Sequence, residues 1–223
     1  MTDMTEVHVK QDGLRERKKA KTRAAIRQHA LRLFREQGYS ATTIEQIADA
    51  AEVSPATFFR YFPSKEDVVL QDDLDIVTIE ALEAQPPELS PIAAFRAAAA
   101  ATLASLSTED LVRFRDTAEL TVTVPEVRAR AIDEFVRTIN QIAGAIARRT
   151  GRSPEDFEVR TVAGAIIGVI MSVTITAGED TWNAGGFADI TELFMRIDTA
   201  LGHLERGLPL LTQAPTEAAP GRG

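Results

Sequence analysis

Thr42-Thr43-Ile44-Glu45-Gln46-Ile47-Ala48-Asp49-Ala50-Ala51-Glu52-Val53-Ser54-Pro55-Ala56-Thr57-Phe58-Phe59-Arg60-Tyr61-Phe62-Pro63-Ser64-Lys65-Glu66 is the stretch whose reading decides the fold. Ile44, Ile47, Ala48 and Ala51 fall at i, i+3, i+4 and i+7, one face of a short helix, and Thr43 with Gln46 three residues later fits a capping box. Thr42 with Glu45 fits the same pattern. Ser54 and Pro55 read as the N-cap and first position of the next helix, which Pro63 ends, and Ser64 with Asp67 starts another. Two short capped helices with only Glu52-Val53 between them make a helix-turn-helix, whose second helix enters the DNA major groove. Its outward residues must be small or able to hydrogen-bond base edges. Ser54, Pro55, Ala56 and Thr57 meet that need, and Pro55 and Ala56 suit a thymine methyl. Phe58 and Phe62, four apart, are expected in the core.

Working upstream, a helix from about Lys19 to Gln37 sets Ile26, Ala30, Leu33 and Phe34 on one stripe, and Gly38 stops it. Lys18, Lys19, Lys21 and Arg23 just ahead read either as a phosphate clamp or as solvated charges. The net charge of −8 would argue against a nucleic-acid partner, but it is unevenly spread. Residues 1–65 hold twelve Lys+Arg against eight Asp+Glu, a balance of +4 that leaves −12 for the rest. A basic head on an acidic body is the asymmetry expected when one end meets DNA.

The segment closely resembles the TetR family over residues 20–70. The matching residues are Gly38-Tyr39, Thr42-Thr43 with Ile47-Ala48, and the run from Val53 through Lys65. The resemblance implies that Thr43 and Tyr61 bind phosphates, that Thr57 and Arg60 lie at the groove, and that Lys65 holds the DNA backbone. Arg23 joins this DNA-binding set from the basic lead-in. Phe59 stands where the family often has Tyr, so an apolar contact replaces a hydroxyl there.

Downstream, nearly everything has helical period and almost nothing alternates. The fold class is all-α: a three-helix head and a six-helix body for ligand binding and dimerisation. A fourth helix is expected from Ser64 to about Ala84, running from the head into the body until Pro86-Pro87. Further helices are expected near 91–106, 109–122, 126–149, 155–178 and 187–206. The expected divisions are a disordered tail over 1–12, the head over 13–66, the body over 67–208 and a disordered tail over 209–223.

Segments around Ser90-Pro91, Leu106–Leu111 and Val124–Arg130 resemble TetR sensors that bind acyl-CoA-like ligands. Phe95, Phe114, Phe135 and Ile139 are candidate lining residues of an apolar pocket. Arg115, with Arg113 and Arg128, is a candidate anchor for an anionic head group. The plain alternative, with the aromatics as core and the arginines as surface, stays open residue by residue. The effector expected from this resemblance is a small apolar molecule such as a fatty acyl-CoA, with no cofactor and no metal.

Gly164 and Gly168 form a Gly-x-x-x-Gly pair in the most apolar stretch, Thr161 to Gly178. Its hydroxyls and its length of about 18 residues favour an interhelical interface over a membrane span. With Met171, and with Phe194, Ile197 and Leu201 on the next stripe, it resembles the family's two-helix dimer surface.

The absence of cysteine removes disulfides and thiolate chemistry. Phosphate-loop, His-Glu-x-x-His and Gly-x-Ser-x-Gly motifs are missing, and His8, His29 and His203 are scattered, so no enzyme is expected. With no apolar run near the N-terminus, the protein is read as cytoplasmic. The expectation is a homodimeric transcriptional repressor that leaves a palindromic double-stranded DNA operator when its effector binds. The alternative is an all-α protein-interaction module without DNA binding.

Overall fold

The computed structural model describes residues 3–71, 74–174 and 190–207. Ten α-helices and no strands occur among them: α1 (Asp3–Gln37), α2 (Ile44–Ala50), α3 (Pro55–Tyr61), α4 (Lys65–Leu70), α5 (Leu74–Glu83), α6 (Pro91–Ser105), α7 (Thr108–Thr123), α8 (Pro125–Thr150), α9 (Phe157–Thr174) and α10 (Ile190–Glu205). The expected tail over 209–223, the end of the 155–178 helix and the start of the 187–206 helix lie outside the described residues.

The chain departs from expectation at two helix boundaries. α1 is helical from Asp3, where a disordered tail over 1–12 and a start near Lys19 were expected. Its first half has no proline, and its Lys, Arg, Glu and Gln lose little rotamer freedom in a helix. The expected helix from Ser64 to Ala84 is broken: α4 ends at Leu70, and Gln71 is extended at φ −85°, ψ 90°. Asp72 and Asp73 follow, and acidic residues at a helix C-terminus oppose the macrodipole.

Close packing groups the helices into two units, and the grouping differs from a cut after residue 66. The first takes in α1 to α4, α7 and the start of α8 up to Val136; the second takes in α5, α6, α8 from Arg137, α9 and α10. In the first unit the α1 stripe of Ile26, Ala30, Leu31 and Phe34 meets Ile47, Ala48, Phe58, Phe62, Val68 and Val69, all nearly inaccessible. Each such aromatic or branched side chain contributes about 1.5–3 kcal/mol on burial. α7 packs on α1 and α4, and Arg35 Nε donates to Asp116 Oδ2 at 3.0 Å.

In the second unit α5 packs on α6, and α10 on α6 and α9. Arg149 of α8 donates to the carbonyls of Leu82, Gln85 and Pro86 at 3.0, 2.6 and 2.8 Å, satisfying oxygens at and beyond the end of α5. Arg96 grips Asp198 through Nε at 2.8 Å and Nη2 at 2.9 Å, which holds that carboxyl below its ordinary range. The apolar row on α8 divides: Ile142 and Ile146 are buried, whereas Ile132 is 50 % exposed.

Candidate nucleic-acid interface

The turn that presents α3 is built by local chemistry. Thr43 caps α2 in a full capping box: its Oγ1 accepts from Gln46 N at 3.2 Å, and Gln46 Oε1 accepts from Thr43 N at 2.9 Å. The competing Thr42 reading is settled against, because Thr42 is buried and its hydroxyl donates to the Gly38 carbonyl at 2.8 Å. Gly38 takes φ +87°, the left-handed geometry that ends α1. Glu52, between α2 and α3, takes φ +54°, unusual for a residue with a side chain.

Ser54 caps α3, with Oγ accepting from Thr57 N at 3.1 Å, and Pro55 occupies the first turn. Phe58 and Phe62 point into the core with no exposed surface, as expected. That fixes the other side of α3 outward. Ser54, Pro55, Ala56, Phe59 and Arg60 are exposed, while Thr57 and Tyr61 are half-buried. Phe59 packs edge-on against Phe58, with ring centroids 5.5 Å apart, and leaves its other face exposed. The Arg60 guanidinium lies over the Tyr61 ring at 5.3 Å. Thr57 Oγ1 sits 2.9 Å from Ser54 Oγ, so this hydroxyl is shared with the cap. Thr43 is also exposed, at the start of α2.

Lys65 and Arg23, both expected at the DNA, also make contacts inside the unit. Lys65 Nζ donates to the carbonyls of Tyr39 and Thr42 at 2.9 and 3.0 Å and lies 4.0 Å from the Tyr39 ring centroid. It braces the turn ahead of α2, with one N–H direction left. Arg23 Nη2 donates to Gln71 Oε1 at 3.2 Å, and its guanidinium lies over Phe62 at 5.4 Å. Spacing along the chain gave no sign of either contact.

Glu66 was missed at the sequence level. Tyr39 Oη donates to its carboxylate at 2.6 Å. Burial raises the Glu66 carboxyl, but hydrogen bonds from Tyr39, Ser64 and its own backbone, with the charge of Lys65, outweigh it and leave a net lowering. The Tyr39 hydroxyl is pushed up by burial and by Glu66, so it remains a donor.

The match to known proteins follows the same residues. The family model for bacterial regulatory proteins of the tetR family matches residues 26–71, and the model for the MftR C-terminal domain matches residues 89–209. The chain belongs to the TetR family. The transcriptional regulator TcmR of Streptomyces glaucescens is 32% identical over 200 residues, covering 86% of each chain. The mycofactocin biosynthesis transcriptional regulator MftR of Mycobacterium tuberculosis is 28% identical over 159 residues, 70% of this chain and 79% of that one. A TetR-family regulator from Syntrophomonas wolfei shares the fold at a TM-score of 0.57 and 18% identity, covering 85% of this chain and 97% of that one. These TetR relatives are transcriptional regulators rather than enzymes, and ligand-responsive repression is the family's standard function.

The expected effector residues fall in different units. Phe114, Arg115 and Phe135 belong to the first, Phe95 and Ile139 to the second. Phe95 is buried in the α6 face, and Arg115 is exposed beside Asp116, with Nη2 3.3 Å from its Oδ1. Of the expected dimer residues, Leu201 is 1 % exposed within the single chain and is core, because the α10 stripe turns it toward α6 and α9. Gly164 and Gly168 have open space where a Cβ would project, and Met171, Phe194 and Ile197 are half-buried. α9 is the one helix among the described residues long and apolar enough to cross a membrane, with mean hydropathy 1.5.

Proposed function

We propose that this TetR-family regulator acts in the cytoplasm as a homodimeric repressor that reads a palindromic operator with the outward side of α3. The observation that carries this is the division of α3: Phe58 and Phe62 are locked into the core while Ser54, Pro55, Ala56, Phe59 and Arg60 stand outside. Pro55, Ala56 and Phe59 offer apolar contact to thymine methyls, and Arg60 offers a donor fork to a guanine edge. Thr43, Tyr61 and the remaining donor of Lys65 serve the phosphates.

The open flank at Gly164 and Gly168 suits a second α9 at close range, with Met171, Phe194 and Ile197 beside it. This apolar flank supports a helix pairing between two copies better than a membrane span, because α9 already packs against α10 and α6.

The effector is a small apolar molecule with an anionic head, of the acyl-CoA class, as the segments near 90, 106–111 and 124–130 suggest. Its binding and DNA binding are linked reciprocally, by a factor typically about 5–150. Titration of acyl-CoAs of rising chain length into the full chain, with and without bound duplex, tests this. Weaker acyl-CoA binding in the presence of DNA supports the reading; equal binding with and without DNA contradicts it.

A further inference from the structure

The end of α1 is tied to the start of α2 by a chain of hydrogen bonds in which every direction is fixed. The Thr42 hydroxyl gives its proton to the Gly38 carbonyl at 2.8 Å, so towards Gln37 it can only accept. Gln37 therefore turns its amide nitrogen to Thr42 Oγ1, at 3.2 Å, and the other N–H of that nitrogen goes to Gln46 Oε1 at 2.9 Å. The Thr43 backbone N–H, which can only donate, reaches the same Gln46 oxygen at 2.9 Å. An amide whose oxygen is held by these donors presents its nitrogen on the other side. Gln46 is exposed, and its Nε2 has no hydrogen-bond partner among the described residues.

An outward NH2 group beside Thr43 has a definite chemistry. A glutamine reads adenine with both amide atoms, accepting from N6 and donating to N7. With Oε1 already taken by Gln37 and Thr43, that bidentate reading is closed. Only N–H groups are left, and they match phosphate oxygens, which only accept. Thr43 is exposed at the same place, and the first helix of a helix-turn-helix crosses the DNA backbone rather than entering the groove. A capping box takes Glu as readily as Gln, so the outward NH2 is not something the cap requires.

We propose that Gln46 is a neutral phosphate ligand, donating from Nε2, and that Gln37 is a positioning residue that keeps this amide from turning over. The proposal rests on the DNA-reading role of α3 given above and adds a backbone contact on α2. A neutral donor strengthens binding to every sequence alike and leaves the salt dependence as it is, because it neutralises no phosphate charge.

The test follows binding of the full chain by fluorescence anisotropy over a range of salt. The probes are a random-sequence duplex and a duplex that the wild-type chain enriches from a random pool. Gln46→Met keeps the Thr43 hydroxyl on its backbone N–H and loses the amide. It should bind both duplexes about tenfold more weakly, with the salt slope unchanged. Gln46→Glu retains the acceptor of the capping box, so it should melt with wild type and still lose at least as much affinity. Gln46→Lys should steepen the salt slope by about 0.9 for each phosphate it meets. Gln37→Met should weaken binding in the wild-type background and not in Gln46→Met, because its effect runs through the amide it orients.

Gln46→Met binding as tightly as wild type, or Gln46→Lys with an unchanged salt slope, overturns the proposal and leaves the DNA reading standing. A loss confined to the enriched duplex makes Gln46 a base contact and also overturns it. Equal losses from Gln37→Met in both backgrounds overturn the positioning role, since a purely structural Gln37 acts whatever stands at position 46. A wild-type chain that binds neither duplex overturns the DNA reading and this contact with it.

Discussion

Asp67 on α4 and Arg130 on α8 form an ion pair across the first unit, with Arg130 Nη2 and Nε 2.9 and 3.2 Å from Asp67 Oδ1. The Asp67 side chain is 2 % exposed and that of Arg130 is 27 %. Asp67 also accepts from Ser64 Oγ at 2.9 Å and from Gln71 Nε2 at 3.3 Å, so one carboxylate gathers both ends of α4 and the start of α8. α4 is too short to hold its place by backbone hydrogen bonds alone.

Arg130→Leu should therefore destabilise the protein by about 3 kcal/mol, the lower end for breaking a buried pair, since Arg130 keeps some solvent contact. Asp67→Asn/Arg130→Leu should recover part of the loss, because no buried charge is then left alone. Urea unfolding of the three chains checks both.

Lys65→Met should lower stability as well as DNA affinity, because two backbone carbonyls lose charged donors that contribute about 1.5–3 kcal/mol each. Lys65→Arg should fall between wild type and Lys65→Met. Thermal melts without DNA decide: a residue used only for phosphate would leave them unchanged.

Glu66 gives the head a pH dependence with a definite sign. Its carboxyl lies below the ordinary value of 4.5 in the folded chain. A depressed carboxylate binds fewer protons folded than unfolded, so its stabilisation is complete above the ordinary value and is lost as pH falls through the folded one. The melting temperatures of wild type and Glu66→Gln should differ most near neutral pH and converge as pH falls through the depressed value of the folded carboxyl.

At Glu52 the left-handed backbone favours residues without a branched Cβ. Glu52→Gly should leave stability unchanged or raise it, whereas Glu52→Val should lower it by about 1–2 kcal/mol. Equal effects of the two, read by urea unfolding, would show that the turn carries no strain.

What could be read in the sequence was what is decided within four residues. Thr43, Ser54 and Ser64 each announce a helix start, because a cap is a bond to an amide two or three places on. Phe58 and Phe62 announce an inward face by the helical period. The partners of Lys65, Arg23 and Asp67 lie 23 to 63 residues away and leave no periodic trace. The break at Gln71 was hidden because the apolar pattern of α4 continues into α5. Leu201 was misplaced because an apolar stripe looks the same whether it faces its own chain or a second copy. The scatter of Phe95, Phe114 and Phe135 over two units has the same cause: helical period fixes a face, not the neighbour it meets.

Two copies of α3 are expected to read DNA together. Selection of bound sequences from a random duplex pool by the full-length chain tests it most directly. The expected product is an inverted repeat whose half-site centres lie about one helical turn apart, or a multiple of it. Enrichment of a single unrepeated motif, or no enrichment over the starting pool, would contradict it.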